Sequence, residues 1–286
     1  MKRISFSAAL VAASMFAHAN TITPKVIYGE DNRRDVYVEE RADIREIADS
    51  TAAMIPTSKL TANNSRVRIA VKNYGEEMGL CKDEPFYGQP TAANCSAFLV
   101  GDDLVATAGH CINKATCKDK SFVFGFKMHS STVGTTDVAA EEVYNCKDVT
   151  AYGFTRNEDY ALVKLDRPVR GHRVLTLAKE QAKAKDPIMV IGHPSGLPTK
   201  IADGANIRKL ERGYFVANLD TYGGNSGSAV FNASTLEVVG ILVRGEEDFS
   251  YDSARQCRLS NKCGDSQCRG EDVTFIKYIA DALSAK

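Results

Sequence analysis

Short apolar runs, separated by glycine, proline, asparagine and aspartate, follow one another from residue 66 onward. Runs of this length between turn-forming residues are typical of β-strands, and many in succession indicate an all-β sandwich or a pair of barrels. The predicted strands are residues 67–71, 96–100, 104–108, 121–126, 160–165, 187–191, 214–218, 228–231 and 237–243. Because no helical segments alternate with these runs, the pattern disfavours a doubly wound parallel sheet.

Two segments carry apolar residues at helical spacing instead. Residues 38–54 form an amphipathic candidate that Pro56 would end. Residues 272–283 predict a C-terminal helix docked on a sheet. Its apolar face holds Val273, Ile276, Ile279, Ala280 and Leu283. Because the stretch from 20 to 65 is polar and charge-dense, we interpret it as an N-terminal arm or propiece.

The chain begins with Lys2 and Arg3, continues with an apolar run over residues 4–16 and reaches a small-x-small site that ends at Ala19. This order indicates a secretory signal peptide over residues 1–19. The apolar run has 13 residues, fewer than the roughly 20 that a spanning helix needs. We therefore expect a soluble protein, exported to the periplasm or the cell exterior, with no membrane anchor after signal cleavage.

Composition narrows the function classes. The 286 residues are 44% hydrophobic and 25% charged, as in ordinary globular proteins. The 36 basic residues balance 36 acidic ones, so no overall positive field would hold nucleic acid or an anionic membrane. The cysteines number eight, and an even number fits structural pairing in an oxidising compartment.

Three local strings carry residues suited to nucleophilic catalysis, in the order His, Asp, Ser. In the first, two apolar runs form a hairpin that ends in His110, and a disulfide between Cys95 and Cys111 would fix that end. In the second, Asp159 directly precedes a strand, where its carboxylate can orient an imidazole. In the third, Ser226 lies in a glycine-rich turn, so main-chain N–H groups can converge beside its hydroxyl.

The three residue types complement one another chemically. A serine hydroxyl is a poor nucleophile until a base takes its proton, and histidine has a pKa near working pH. A buried carboxylate on the other ring nitrogen selects the tautomer and stabilises the imidazolium. Each string alone also has an ordinary structural explanation as a strand end or a turn. Their conjunction predicts a triad of His110, Asp159 and Ser226.

Together the strings resemble the trypsin-like, chymotrypsin-fold serine peptidases, in particular the bacterial V8-like and glutamyl-endopeptidase-like branch. The stretches that carry the resemblance are residues 107–111, 159–165 and 223–228. The resemblance implies two antiparallel six-stranded β-barrels with a catalytic cleft between them. The expected units are a peptidase domain at 66–286, made of a first barrel at about 66–168, a second at about 169–270 and a C-terminal helix at about 271–284.

The resemblance also implies roles for the site residues. His110 would act as general base and then acid, Asp159 as its orienting partner and Ser226 as the nucleophile. The main-chain N–H groups of Gly224 and Ser226 would form the oxyanion hole. The expected substrates are proteins or peptides, cleaved by a monomer that needs neither a metal nor an organic cofactor.

In the trypsin-like family, the residue six positions before the nucleophile lies at the bottom of the primary specificity pocket. That position holds Asp220, and Val243, Arg244 and Gly245 would form the pocket wall. An aspartate there predicts cleavage after Arg or Lys. Two alternatives stay open: Arg244 could turn inward and neutralise Asp220, or the aspartate could cap a loop. Glutamyl-specific relatives carry a histidine in this segment, and its lack weakens an acidic preference.

Three further questions stay open in the sequence. Classical family members have an aspartate before the nucleophile to bind a freed N-terminus, whereas this chain has Asn225, so any maturation must work otherwise. The function could instead be that of a catalytically silent binding protein on the same scaffold, or of an esterase. The cysteines other than the predicted pair allow 15 pairings: Cys81, Cys117, Cys146, Cys257, Cys263 and Cys268.

Overall fold

A computed structural model describes residues 27–285, so the signal peptide predicted at 1–19 lies outside the described residues. The elements before residue 95 are β1 (Ile27–Tyr28), β2 (Arg33–Asp35), α1 (Ala42–Asp49), β3 (Thr51–Pro56), β4 (Leu60–Asn63), β5 (Arg66–Ile69), β6 (Lys72–Asn73), α2 (Tyr74–Met78) and β7 (Pro90–Thr91). The next are β8 (Cys95–Gly101), β9 (Leu104–Thr107), β10 (Lys120–Val123), β11 (Asp137–Ala139), β12 (Val143–Phe154) and β13 (Asp159–Leu165).

The remaining elements are β14 (Pro187–Gly192), β15 (Lys200–Leu210), β16 (Tyr214–Ala217), β17 (Ala229–Asn232), β18 (Val238–Arg244), β19 (Phe249–Asp252), β20 (Cys257–Ser260), β21 (Lys262–Cys263), β22 (Glu271–Phe275) and α3 (Lys277–Ser284). Short 3-10 turns occupy Val36–Val38, Thr57–Lys59, Gly109–Cys111, Cys117–Asp119, Ala140–Glu142 and Pro194–Gly196. None of the helices among the described residues combines the length and the apolar character that crossing a membrane requires.

The strands form two closed antiparallel barrels, which confirms the predicted fold class. The first barrel has the order β10-β12-β13-β9-β8-β3 and closes through pairing of β3 with β10. The second has the order β14-β17-β18-β22-β16-β15 and closes through β15 and β14, while β2 adds to β15 from outside. Because each barrel is closed, few strand edges are left exposed.

One hydrophobic core runs from the first barrel into the second, so the two barrels pack as one body. Phe98 and Phe122 fill the first barrel, and Met189 and Phe231 of the second belong to the same buried cluster. Full burial of each such side chain stabilises the fold by roughly 1.5–3 kcal/mol. The cleft between the barrels is therefore bordered on both sides by rigid, packed strands.

The segment predicted as an arm or propiece, residues 20–65, belongs in its described part to both barrels, and this corrects the domain boundary at 65. Helix α1 takes only the first half of the amphipathic candidate, with Ile44 and Ile47 buried. The second half, Thr51–Pro56, is a barrel strand. A short apolar run does not distinguish a buried strand from a buried helix. Because β3 closes the first barrel, its removal during maturation would open the fold.

Three other predicted boundaries also differ from the structure. The C-terminal helix begins at Lys277, because Glu271–Phe275 is the barrel strand β22 rather than the first turns of that helix. The run at 67–71 contributes β5, which lies in a separate sheet of order β11-β5-β4. The long strands β12 and β15 were not predicted, because polar residues interrupt their apolar positions.

Four disulfides link the described cysteines. The bridge predicted between Cys95 and Cys111 forms. The other bridges are Cys81–Cys257, Cys117–Cys146 and Cys263–Cys268. No cysteine among residues 27–285 is free, which is typical of proteins that fold in an oxidising compartment.

Candidate active site

His110 lies where the second strand of the predicted hairpin ends. Strand β9 stops at Thr107, and a single 3-10 turn, Gly109–Cys111, presents the imidazole. Gly109 is required in this turn, because a side chain there would collide with the main-chain oxygen of Gly153. The Cys95–Cys111 disulfide ties the turn back to β8, so the imidazole is held from two directions.

Asp159, the first residue of β13, holds His110 through two hydrogen bonds. Its Oδ1 accepts the main-chain N–H of His110 at 3.0 Å, and its Oδ2 lies 2.8 Å from His110 Nδ1. The carboxylate is fully buried, whereas 30% of the imidazole is exposed. A carboxylate accepts but does not donate, so it selects the tautomer with hydrogen on Nδ1. The exposed Nε2 is then free to accept a proton.

Ser226 lies beside the same turn. Its main-chain oxygen accepts a hydrogen bond from the N–H of Ser96 at 2.8 Å and lies 3.7 Å from Cys111 Sγ. Gly227 makes this close approach possible: its φ is +89°, and a side chain there would collide with the main-chain oxygen of Ser96. The fold thus places the turn of Ser226 against the turn that carries His110, the hydrogen-bond partner of Asp159, although the three residues are distant in sequence.

The turn before Ser226 leaves two main-chain donors unused. Asn225 N donates to Tyr222 O at 3.0 Å, and Gly227 N donates to Leu242 O at 2.7 Å. Among residues 27–285, however, the N–H groups of Gly224 and Ser226 have no hydrogen-bond acceptor. These are the two groups predicted for an oxyanion hole. Gly224 has φ +92°, a left-handed conformation that favours glycine.

A cavity of about 340 Å³ opens next to Ser226. Val243, Arg244 and Gly245 are among the residues that line it. Thr221 and the two residues after it also line the cavity. The remaining lining is markedly acidic and includes Glu246, Glu247, Asp248 and Glu271.

Asp220 does not line this cavity, which corrects the role predicted for it. Its Oδ1 accepts the main-chain N–H of Tyr28 at 2.8 Å, and its Oδ2 accepts that of Asn32 at 2.9 Å. Burial raises the pKa of Asp220 to about 6, against the opposing effect of these two hydrogen bonds. The carboxylate therefore anchors the segment around β1 and β2 to the loop that leads to Ser226.

This anchoring predicts a stability effect with no effect on specificity. Replacing Asp220 by alanine would leave two main-chain donors without acceptors, and each such buried group costs about 1–3 kcal/mol. We expect the free energy of unfolding, measured by denaturant titration, to fall by roughly 2–4 kcal/mol. The preference between cationic and neutral side chains at P1, the substrate residue before the cleaved bond, should stay unchanged. The control variant Asp281→Ala, at an exposed site, should change neither the stability nor this preference. A lost cationic preference would contradict this assignment.

Arg244 does not neutralise Asp220, so that alternative is also corrected. Its Nε donates to Asp272 Oδ2 at 3.1 Å, and its guanidinium also donates to the main-chain oxygen of Arg156. Asp272 is next to Arg244 because β18 and β22 pair at that position. Arg244 is therefore engaged by Asp272 and by the main-chain oxygen of Arg156, and it forms no salt bridge with the carboxylates that line the cavity.

Sequence reasoning missed Asp248 and Glu271 as cavity residues. Glu271 was placed in a helix, although it begins a barrel strand. Asp248 lies in a polar loop after β18, where a charged residue is unremarkable in sequence. The pairing of β22 with β18 and β16 is what brings Glu271 to the cavity. The only local signal was the run of acidic residues at 246–248 beside a predicted pocket wall.

Comparisons with known proteins agree with this architecture. A family model described as a trypsin-like peptidase domain matches residues 95–241, more than half of the 286-residue chain. That range includes His110, Asp159 and Ser226. No curated protein matches the chain.

Two solved structures share the fold with TM-scores above 0.5. The Vibrio cholerae VesB protease superposes with a TM-score of 0.51 at 13% identity, over 88% of this chain and 67% of that one. A structure of HBP gives a TM-score of 0.54 at 11% identity, over 90% and 96%. At these identities, both superpositions show the fold alone. A Glu endopeptidase in complex with MPD gives a TM-score of 0.49 at 16% identity, over 91% and 100%.

Proposed function

The chain belongs to the trypsin-like peptidase family, and on that premise we propose that it is an exported serine endopeptidase that works through an acyl-enzyme. The observation that carries the proposal is the pair of hydrogen bonds that Asp159 accepts from His110, beside a serine turn with two unused N–H donors. The four disulfides support export, as does the sequence pattern of residues 1–19.

In the proposed mechanism, Ser226 Oγ attacks the scissile carbonyl carbon while His110 Nε2 takes the hydroxyl proton. The C–O bond that forms leaves a tetrahedral oxyanion, which the N–H groups of Gly224 and Ser226 stabilise. Asp159 stabilises the imidazolium without taking its proton. His110 then donates the proton to the leaving amine as the C–N bond breaks. Water attacks the acyl-enzyme by the same route and releases the carboxylic acid.

We further propose that the enzyme prefers Arg or Lys at P1. The carboxylates that line the cavity beside Ser226 support a cationic side chain. A glutamate at P1 would meet these carboxylates, and no histidine is among the described residues that line the cavity. Like charges brought together in a partly buried site repel one another, so a glutamyl preference is disfavoured.

A fluorophosphonate probe tests the proposed function, because it forms a bond only with an activated serine. We expect the wild-type protein to be labelled on Ser226 and the Ser226→Ala variant to stay unlabelled, as read by intact mass and peptide mapping. A folded but unlabelled wild-type protein would instead be a silent binding protein. A protein that is labelled and hydrolyses small esters, yet cleaves no peptide in a P1-scanned library, would be an esterase.

A further inference from the structure

Two carboxylates in the cavity lack a cationic partner. Glu246 accepts a hydrogen bond from the main-chain N–H of Arg269 at 2.9 Å, and the Arg269 side chain lies 3.9 Å from it. In the described part of the chain, neither Asp248 nor Glu271 has a basic group within salt-bridge distance. The cavity lining contains two basic residues, Arg244 and Arg258. Arg258 donates a hydrogen bond to the main-chain oxygen of Met78.

Glu271 is one of the residues that line the cavity and is only 2% exposed. Its Oε2 accepts a hydrogen bond from Thr221 Oγ1 at 2.7 Å, and its Oε1 accepts longer ones, at 3.4 Å each, from Tyr28 Oη and the main-chain N–H of Glu246. Gly245 lies directly against the carboxylate, because a side chain at that position would collide with Oε2. A wall residue without a side chain therefore keeps this buried carboxylate accessible from the cavity.

Asp248 lies at the same cavity, close to the catalytic turn. Its Oδ2 accepts the main-chain N–H of Gly223 at 2.8 Å, and Gly223 directly precedes the oxyanion-hole residue Gly224. The two carboxylates thus border the space that a side chain would enter from a peptide bound at Ser226.

Ionisation of both carboxyl groups is disfavoured in the free protein. Burial raises the pKa of Asp248 to about 6 and that of Glu271 to about 8, and the proximity of the two groups adds to the latter increase. A buried carboxylate without a counter-ion is costly, whereas an opposite charge within about 4–6 Å favours its ionised form. A cationic side chain in the cavity would supply that charge.

We propose that Glu271, assisted by Asp248, recognises the cationic P1 side chain and thereby sets the substrate specificity. The inference rests on the proposed peptidase function, and it assigns to these two residues the role that the sequence suggested for Asp220. Arg and Lys are the side chains long enough to carry a positive charge from the peptide backbone to the base of such a cavity.

The test compares peptide substrates that differ only at P1, with Arg or Leu at that position. We expect Glu271→Gln to lower kcat/KM for the Arg substrate by about 10- to 100-fold, because the amide cannot pair with the positive charge in the transition state. The value for the Leu substrate should change by less than about threefold. Glu180→Gln, which makes the same charge change at an exposed site, should change neither. An unchanged Arg-to-Leu ratio in Glu271→Gln would overturn the proposal.

Two further measurements keep the proposal separable from folding and from catalysis. If circular dichroism shows that Glu271→Gln does not fold, the Arg-to-Leu ratio of kcat/KM is measured on Asp248→Asn instead. A ratio in that variant equal to the wild-type ratio would count against the inference. Binding of agmatine, a small guanidinium compound, to the Ser226→Ala protein tests cation recognition without turnover. Agmatine binding that depends on Glu271, together with a folded wild-type protein that fluorophosphonate does not label, would sustain cation recognition by the cavity while the proposed function fails.

The pH dependence gives an independent readout. In the free enzyme each carboxyl group must lose its proton before it can pair with the cation, so the Arg-to-Leu ratio of kcat/KM should rise with pH through about 6 and again through about 8. The other charged or titratable groups that face Glu271 are Glu246, Arg269, Arg208 and Tyr28. Those that face Asp248 are Arg33 and Arg258, which lower its pKa, and Glu247, which raises it. In Glu271→Gln the upper rise should disappear; its persistence would contradict the assignment.

Discussion

Replacing Ser226 by alanine is expected to lower kcat for peptide hydrolysis by about 10⁶-fold, the size of the loss seen when another Ser-His-Asp peptidase is stripped of its serine. The variant keeps the oxyanion donors and the cavity, because both are built from main-chain groups and from neighbouring side chains. Residual activity above that of water would therefore persist. Mass-spectrometric detection of the cleaved peptide over long incubations would measure this residual rate.

The same loss is expected from His110→Ala, and the double variant should be no slower than either single one. Nucleophile and base act as one unit, so removing the second after the first removes nothing further. Stability should change little in the Ser226 variant, since no described side-chain hydrogen bond of Ser226 would be lost. If the two single losses multiplied in the double variant, the residues would act independently and the triad would be wrong.

The three strings of the candidate site could be recognised in the sequence because each one is local. His110 follows an apolar run, Asp159 precedes one, and Ser226 lies among glycines, so each is visible within about ten residues of sequence. The fold class was predictable for the same reason. What the strings did not contain is the pairing of strands, which depends on contacts across most of the chain.

The residues considered for substrate specificity show what the local sequence does not reveal. Asp220 was assigned to the pocket by its distance in sequence from Ser226, but main-chain donors of residues near the N-terminus occupy its carboxylate. Glu271 comes 45 positions after Ser226 in the sequence, and the pairing of β22 with β16 and β18 brings it to the cavity. The helical spacing of apolar residues over 272–283 predicted a helix, but residues 271–275 pair as a strand, and tertiary pairing overrode the local pattern.

The described N-terminal segment illustrates the same point from the opposite end of the chain. Its charge density suggested an arm, yet Arg33 is buried against the ring of Tyr222, with its guanidinium carbon 4.1 Å from the ring centre and paired with Asp31. Cation–π contact with an aromatic ring satisfies a buried guanidinium in a way that composition does not reveal. The segment thus braces the loop of the candidate nucleophile, in a chain whose Asn225 offers no carboxylate to a freed N-terminus.

Asp159→Asn is expected to lower kcat by about 10⁴-fold, the loss found for this change in another triad enzyme. The reason is visible in the two hydrogen bonds of the carboxylate. The main-chain N–H of His110 can only donate, so the amide oxygen must remain on it and the amide NH₂ must face Nδ1. Nδ1 then becomes an acceptor and the ring proton moves to Nε2, the atom that has to act as base.

The measurement is kcat on a peptide substrate, together with the rate of fluorophosphonate labelling, which should slow in parallel because both reactions need the same base. Asp148→Asn, the same change at an exposed site of the first barrel, should leave both rates unaltered. Unfolding by denaturant should show a folded Asp159→Asn protein, since the amide preserves the volume and both hydrogen bonds, with the direction of the one to Nδ1 reversed. A folded variant whose kcat stays within about tenfold of wild type would remove Asp159 from the mechanism.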